Sequence, residues 1–312
     1  MKILISDKSS PICAEILREA GHEVDENTGL SPDELKSIIG NYDGLIVRSA
    51  TKVTADILAS AANLKVIGRA GTGVDNIDIA AAANQNVVVM NTPGGNSNAV
   101  AELALAQMLA LSRDLYNASR SLKEAKWEKK NFKGNEVTGK TLGILGYGRV
   151  SRLLAQKAKA LGMDVLCFDP KIKKDIVDAD ALRIVSSVDN LFSKANYISV
   201  HLTKREDTTN FLSRKEFEKM TPGAFLINCS RGGIVNEADL LWALEEGPLA
   251  GAATDVFQTE PPADYKLAQH PKVICTPHIG ASTHESQENV AIMVAEQFAD
   301  FFAGKETRNA VN

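Results

Sequence analysis

The sequence predicts an α/β protein built from two doubly wound parallel sheets, and three of its features carry that prediction. Short apolar runs alternate with helical segments through residues 1–92. A Pro/Gly-rich break follows at Asn91-Thr92-Pro93-Gly94-Gly95-Asn96, and a second alternating series opens at Thr141. Strand and helix alternation gives parallel strands whose crossover helices cover both faces of the sheet. At 312 residues the chain has room for two domains of roughly 150 residues each.

In the first series Ile3-Leu4-Ile5, Leu45-Ile46-Val47, Lys65-Val66-Ile67-Gly68 and Val87-Val88-Val89-Met90 read as buried strands. Ser31-Pro32-Asp33-Glu34 supplies a cap, a first-turn proline and early acids for an intervening helix. After the break, an Ala/Leu-rich stretch from about Asn98 to Ser121 reads as one long helix with Glu102 in its first turn, where an acid favours the positive end of the helix dipole. Its apolar surface is broader than one domain face requires, which points to a homodimer contact. Strands follow at Thr141–Gly146, Val165–Asp169, Tyr197–Val200, Phe225–Asn228 and Val273–Cys275. A last helix, about Glu285 to Phe302, carries Val290, Val294, Phe298 and Phe301.

Composition narrows the function classes. Apolar residues make up 44% and charged residues 24%, ordinary for a globular chain. A net charge of −4 offers no general field for nucleic acid or an anionic membrane. No apolar run approaches the roughly 18 residues of a membrane helix, and the N-terminus is too weakly apolar for a signal peptide. The cytoplasm is the expected location. Cys13, Cys167, Cys229 and Cys275 lack metal-ligand spacing, so no metal site is expected.

Gly146-Tyr147-Gly148-Arg149-Val150-Ser151 follows a strand and opens a helix, and Asp169 ends the next strand. That combination is the dinucleotide-binding unit. Gly146 permits the tight turn, Gly148 admits a pyrophosphate to the backbone, and Asp169 accepts from ribose hydroxyls. The carboxylate favours NAD over NADP. Ser151 stands where a third glycine is usual, which predicts a slight displacement of the helix. Lys171, Lys173 and Lys174 read as a solvated basic loop.

Three stretches carry the chemistry: Asn228-Cys229-Ser230-Arg231-Gly232-Gly233, Val256-Phe257-Gln258-Thr259-Glu260-Pro261-Pro262, and Thr276-Pro277-His278-Ile279-Gly280-Ala281. Arg231 would fork onto a carboxylate with two parallel hydrogen bonds. His278 would be the acid/base, since imidazole titrates near neutrality. Glu260, reaching the other ring nitrogen, would fix the tautomer and stabilise the imidazolium.

This run of motifs, together with Asp43–Thr51 and Gly68–Asn76, resembles the D-isomer-specific 2-hydroxyacid dehydrogenases over nearly the whole chain, and within them the phosphoglycerate dehydrogenases. The resemblance implies a Rossmann-type NAD domain, residues 93–282, inserted into a flavodoxin-like substrate domain of residues 1–92 plus 283–312. It implies a short form without a C-terminal regulatory module, and oxidation of a small anionic 2-hydroxyacid, 3-phospho-D-glycerate, with NAD. Glyoxylate or hydroxypyruvate reduction is the alternative, and an NADH-responsive interaction module a remote one. Arg231, Glu260 and His278 would be catalytic. Thr72, Arg149, Val150, Leu202, Cys229, Ser230, Asp255, Gly280 and Ala281 would join Gly146, Gly148 and Asp169 around the cofactor. The substrate carboxylate would meet Arg231 and the Gly71-Thr72-Gly73-Val74 amides, with Asp75 or Asn76 capping the helix that follows. Its phosphate would meet Arg48, Ser49 and Arg69.

Overall fold

A computed structural model describes residues 1–172 and 174–312; Lys173, read above as part of a basic loop, lies outside them. The chain forms two compact units, Met1–Ser97 with Ala281–Asn312, and Asn98–Gly280.

Among the described residues, the first unit holds a five-stranded parallel sheet of β1 (Lys2–Ile5), β2 (Glu23–Glu26), β3 (Gly44–Val47), β4 (Val66–Arg69) and β5 (Val88–Asn91), in the order β2-β1-β3-β4-β5. Side chains alternate between the faces of a strand, and the core divides accordingly. Leu4, Leu45, Val47, Ile67 and Val89 pack on one side, and Ile3, Ile5, Ile46, Val66 and Met90 on the other. The helix His284–Phe302 covers the second side, burying Val290, Val294 and Phe298. It approaches closely because β3 and β4 each present a glycine there: a Cβ on Gly68 would lie 2.4 Å from Phe298, and one on Gly44 2.8 Å from it. Burying Phe298 alone contributes about 1.5–3 kcal/mol.

Among the described residues, the second unit holds a seven-stranded parallel sheet: β6 (Thr141–Leu145), β7 (Asp164–Phe168), β8 (Arg183–Ile184), β9 (Tyr197–Val200), β10 (Ala224–Asn228), β11 (Leu249–Thr254) and β12 (Val273–Cys275). Their order is β12-β11-β10-β9-β6-β7-β8. The same alternation sends Leu145, Ile198, Val200 and Leu226 to one face and Leu142, Ile144, Tyr197 and Ile227 to the other. Strand order reverses between β6 and β9, and ligands of open α/β sheets bind beyond the strand carboxyl ends at such a point.

Three local expectations are corrected. The stretch read as one helix over residues 98–121 is two, Ser97–Ser112 and Leu115–Lys123, because Asp114 takes the left-handed conformation at φ 47°. Glu102 is the sixth residue of the first helix, not in its first turn, and binds Asn98 at 2.9 Å and Lys157 at 3.3 Å. The helix after the glycine loop, Ile79–Asn84, is capped by Asp78, whose side chain accepts from Ala81 N–H at 2.9 Å, and not by Asp75 or Asn76. Asn76 is committed elsewhere, donating to the carbonyls of Arg48 and Thr51.

Candidate active site

Arg231, Glu260 and His278 all lie in the second unit, on the loops that leave β10, β11 and β12. Each loop is held by groups behind it. Asn228, 3% exposed at the end of β10, accepts from Ser230 N–H and Oγ and donates to the Arg231 carbonyl, which fixes the turn carrying the guanidinium. Arg231 Nη1 donates to the Ser230 carbonyl at 2.8 Å.

The Glu260 turn closes on itself and on a helix end. Phe257 N–H donates to Glu260 Oε1 at 3.1 Å, and Gln258 N–H donates to Glu237 Oε1 in the first turn of Glu237–Glu245. The Arg231 and Glu260 turns meet at Gly232, where a Cβ would fall 1.7 Å from the Phe257 carbonyl oxygen. Only glycine allows that approach.

His278 Nδ1 lies 2.7 Å from Glu260 Oε2, leaving Nε2 as the nitrogen that can exchange a proton. The Glu260 hydrogen bond raises the imidazole pKa above its ordinary value. Desolvation and Arg231 oppose this, and the charges of Glu260 and Asp255 reinforce it. For Glu260 burial pushes the pKa upward, but the His278 and Phe257 N–H hydrogen bonds and the His278 and Arg231 charges outweigh it and leave the carboxyl below its usual range. Between the two titrations the pair is carboxylate and imidazolium. Its contribution to folding is lost as pH rises through the elevated imidazole pKa, and lost again as pH falls through the depressed carboxyl pKa. With side chains 50% and 38% exposed, solvent screening keeps that contribution small. A buffered imidazole beside a guanidinium can bind a carboxylate and move a proton at a neighbouring oxygen.

Asp255, 1% exposed, accepts from Thr276 Oγ1 at 2.6 Å and from Ile279 and Gly280 N–H at 2.8 and 2.7 Å. Its carboxylate therefore anchors the His278 loop. Together with Glu237 it is a supporting residue whose role emerges only from the tertiary contacts.

The dinucleotide unit lies at the β6/β9 reversal. Gly146 has φ +84°, and a Cβ there would meet the His201 carbonyl at 2.8 Å and the Leu202 side chain at 3.2 Å. Open space surrounds Gly148, which precedes Arg149–Ala160 without a side-chain cap, so the first N–H groups of that helix, through Arg149 and Val150, stay available to an anion. Asp169 accepts from Tyr147 N–H at 2.8 Å and from Lys171 N–H at 2.8 Å, tying the second strand end to the glycine turn. Ser151 is fully buried and donates its hydroxyl to the Gly146 carbonyl at 2.7 Å. The departure from glycine thus becomes a brace across the turn. These residues fit a dinucleotide.

The remaining candidates belong to the first unit, except Cys229, Ser230 and Gly280. Ala281 opens the segment that returns to the first unit. Arg48 Nη1 donates to the Lys8 carbonyl at 3.0 Å, with the exposed Ser49 beside it. The Arg69 guanidinium covers Gly71 so closely that a Cβ there would lie 1.5 Å from Nη1. Gly71 N–H already donates to the Arg69 carbonyl at 2.8 Å. Thr72 Oγ1 is 2.8 Å from Asn96 Oδ1.

Residues 105–280 match the family model described as D-isomer specific 2-hydroxyacid dehydrogenase, NAD binding domain. The whole chain is 47% identical over 311 residues to a D-3-phosphoglycerate dehydrogenase of Synechocystis, of which it spans 56%. The chain covers less than two thirds of the length of such curated relatives. Among solved structures, an NAD⁺-bound 3-phosphoglycerate dehydrogenase of Entamoeba histolytica superposes with a TM-score of 0.84 at 32% identity, covering 100% of this chain and 98% of that one. A glyoxylate reductase of Paecilomyes thermophila superposes with a TM-score of 0.90 at 26% identity, covering 100% and 98%. The matched span includes the glycine turn, the acid that closes it and the strand-order reversal beneath them, and the chain belongs to the D-isomer specific 2-hydroxyacid dehydrogenases, with an NAD-binding domain over residues 105–280.

Proposed function

We propose that the protein oxidises 3-phospho-D-glycerate to 3-phosphohydroxypyruvate with NAD⁺. The hydrogen-bonded His278–Glu260 pair beside Arg231 is the observation that carries the chemistry. The match to D-3-phosphoglycerate dehydrogenases along the full chain supports the substrate. In this reading the 1–92 and 283–312 segments supply substrate-binding residues and 93–282 the cofactor domain. Arg231 holds the carboxylate and stabilises charge on the carbonyl oxygen. His278 Nε2 takes the hydroxyl proton as C2 is oxidised, and Glu260 stabilises the resulting imidazolium. Bound NAD⁺ supplies the hydride acceptor.

The test is NADH oxidation with 3-phosphohydroxypyruvate, hydroxypyruvate and glyoxylate in parallel. A preference of about 100-fold in kcat/KM for the phosphorylated compound, equivalent to about 2.7 kcal/mol, supports the reading. Equal or reversed preference moves the protein to glyoxylate or hydroxypyruvate reduction, the activity named for the Paecilomyes neighbour.

Arg48 and Arg69 are the cations proposed for the phosphate. Arg48→Ala is expected to weaken kcat/KM for the phosphorylated substrate about 10- to 150-fold, the range of one charge-assisted hydrogen bond. Hydroxypyruvate turnover should change little. An equal loss on both substrates would assign Arg48 to the scaffold.

Proton transfer sets the pH dependence. Reduction needs the imidazolium, so the raised His278 pKa should hold its alkaline limb above that of an ordinary imidazole; oxidation needs the neutral ring and should rise with pH through the same midpoint. Glu260→Gln removes the largest cause of the elevation. Both limbs should then move to lower pH in kcat/KM profiles, which report the free protein, and profiles unmoved by the substitution would detach Glu260 from His278.

A homodimer is also proposed. Leu115, Tyr116, Leu122 and Trp127, 60, 56, 59 and 82% exposed, cluster on the helix Leu115–Lys123 and just beyond it, more apolar surface than a lone unit ordinarily leaves to water. Sedimentation at the mass of one chain would remove this reading. Four free cysteines support a reducing, cytoplasmic setting, and among the described residues no helix is long and apolar enough to cross a membrane. Secretion into an oxidising compartment, followed by fractionation, would contradict it.

A further inference from the structure

Gln107 is a primary amide inside the protein, 3% exposed on the helix Ser97–Ser112. Burying an amide is costly unless its polar atoms are paired, and both of its ends are. Its oxygen accepts from Cys229 Sγ at 3.1 Å and its nitrogen donates to Thr276 Oγ1 at 3.1 Å. Thr276 Oγ1 in turn lies 2.6 Å from Asp255 Oδ1.

The directions of these bonds follow from the chemistry of the groups. A carboxylate only accepts, so the Thr276 hydroxyl proton points to Asp255, and Thr276 must accept from Gln107. The amide nitrogen therefore faces Thr276 and the amide oxygen faces Cys229. Burial drives the Cys229 thiol pKa upward, which keeps its proton in place as the donor. Every member of the chain has one allowed orientation.

The two ends of this chain are informative. Cys229 is two residues before Arg231, and Thr276 is two residues before His278. His278 itself sits at φ +51°, a region that a residue other than glycine occupies only when its surroundings impose it. Asp255 imposes it by binding the two amides that follow, and Gln107 orients the hydroxyl that Asp255 binds on the side before.

We infer that Gln107 is a positioning residue, bridging the turns that carry Arg231 and His278 and setting their separation. The inference deepens the proposed chemistry and rests on it only where turnover is read. A helix residue more than a hundred positions from either turn in sequence thereby joins the catalytic apparatus.

The decisive variants are Gln107→Met, which keeps length and loses both bonds, and Thr276→Val, which breaks the same bridge from its other end. The primary readout is the titration of the His278 ring, followed by NMR on ¹⁵N-histidine protein without substrate or cofactor. The charged groups acting on that ring are Glu260, Asp255 and Arg231. If the bridge holds the loop against Glu260, the His278 midpoint in Gln107→Met falls toward that of an ordinary imidazole by about half a pH unit, roughly a threefold change in proton affinity. The rate of oxoacid reduction should fall about tenfold with the KM for NADH within about twofold, the signature of a lost transition-state interaction. The double variant should be no worse than Thr276→Val alone, since both substitutions remove one bridge. An unchanged His278 midpoint in both single variants, with only a lower melting temperature, overturns the inference and makes Gln107 a satisfied core amide. Because the titration needs no turnover, a wild-type chain inactive on every oxoacid would count against the proposed function and leave this result standing.

Discussion

His278→Asn is expected to lower the rate of hydride transfer by about 10²–10⁴-fold, the usual contribution of a positioned acid/base, while NADH affinity stays within about twofold. Asparagine is the informative replacement for two structural reasons. His278 has φ +51°, a conformation that asparagine adopts more readily than most residues, so the loop anchored by Asp255 need not rearrange. Asparagine can also donate a hydrogen bond to Glu260 from a similar position, yet it cannot carry a proton at any accessible pH. The variant therefore keeps the architecture and removes only the titration. Single-turnover rates together with fluorescence titration of NADH would check it. Retained turnover would take His278 out of the reaction, and a parallel collapse of NADH binding would mean that the loop, not the imidazole, had been lost.

The parts of this protein that were legible in its sequence are those specified by neighbours in the chain. Parallel strands could be read from runs such as Ile3-Leu4-Ile5, because a sheet covered on both faces needs continuous apolar residues. The glycine turn at Gly146-Tyr147-Gly148 could be read for a similar reason, since strand, turn and helix follow within a few residues. The break at Asp114 gave no such signal. It has neither Gly nor Pro, and the left-handed residue is accompanied by Asn117 Nδ2 donating to Asp114 Oδ1 at 2.7 Å and to the distant Pro271 carbonyl at 2.9 Å. The helix cap went to Asp78 because the helix begins at Ile79, with Asn76 drawn instead to carbonyls 25 and 28 residues away.

The candidate site divides the same way. Arg231, Glu260 and His278 announce themselves by residue type next to Gly or Pro, whereas the groups that hold them do not. Asp255 reads in sequence as a cofactor contact; its second role, anchoring the His278 loop through Thr276 Oγ1 and the Ile279 and Gly280 amides, has no mark in the sequence. Glu237 looks like an ordinary first-turn acid until Gln258 N–H is found on it. Asp7 resembles a strand-end residue, yet it is 6% exposed and binds Arg48 N–H together with Thr51 N–H and Oγ1, which shapes the loop presenting Arg48. Such roles depend on which strand ends become neighbours, and spacing along the chain does not encode that.

Gly232→Ala should be nearly as damaging as loss of the imidazole, although the residue has no chemistry of its own. The added Cβ would lie 1.7 Å from the Phe257 oxygen and 2.2 Å from its carbonyl carbon. These are backbone atoms, so no side-chain rotation can relieve the overlap, and one turn must move away from the other. The Arg231 turn is pinned by Asn228, and the Phe257 turn by Glu237 and Glu260. Separation therefore strains hydrogen bonds on both sides and draws Glu260 from His278 or Arg231 from the pair. Overpacking of this kind costs about 1–3 kcal/mol of stability, and a displacement near 1 Å in a reacting constellation costs about 100-fold in rate. The expected result is a folded protein with a lower melting temperature, kcat reduced about 100-fold, and a His278 midpoint shifted toward that of free imidazole. Wild-type kcat would mean that the two turns part without disturbing the site, and the close approach at Gly232 would then matter to packing alone.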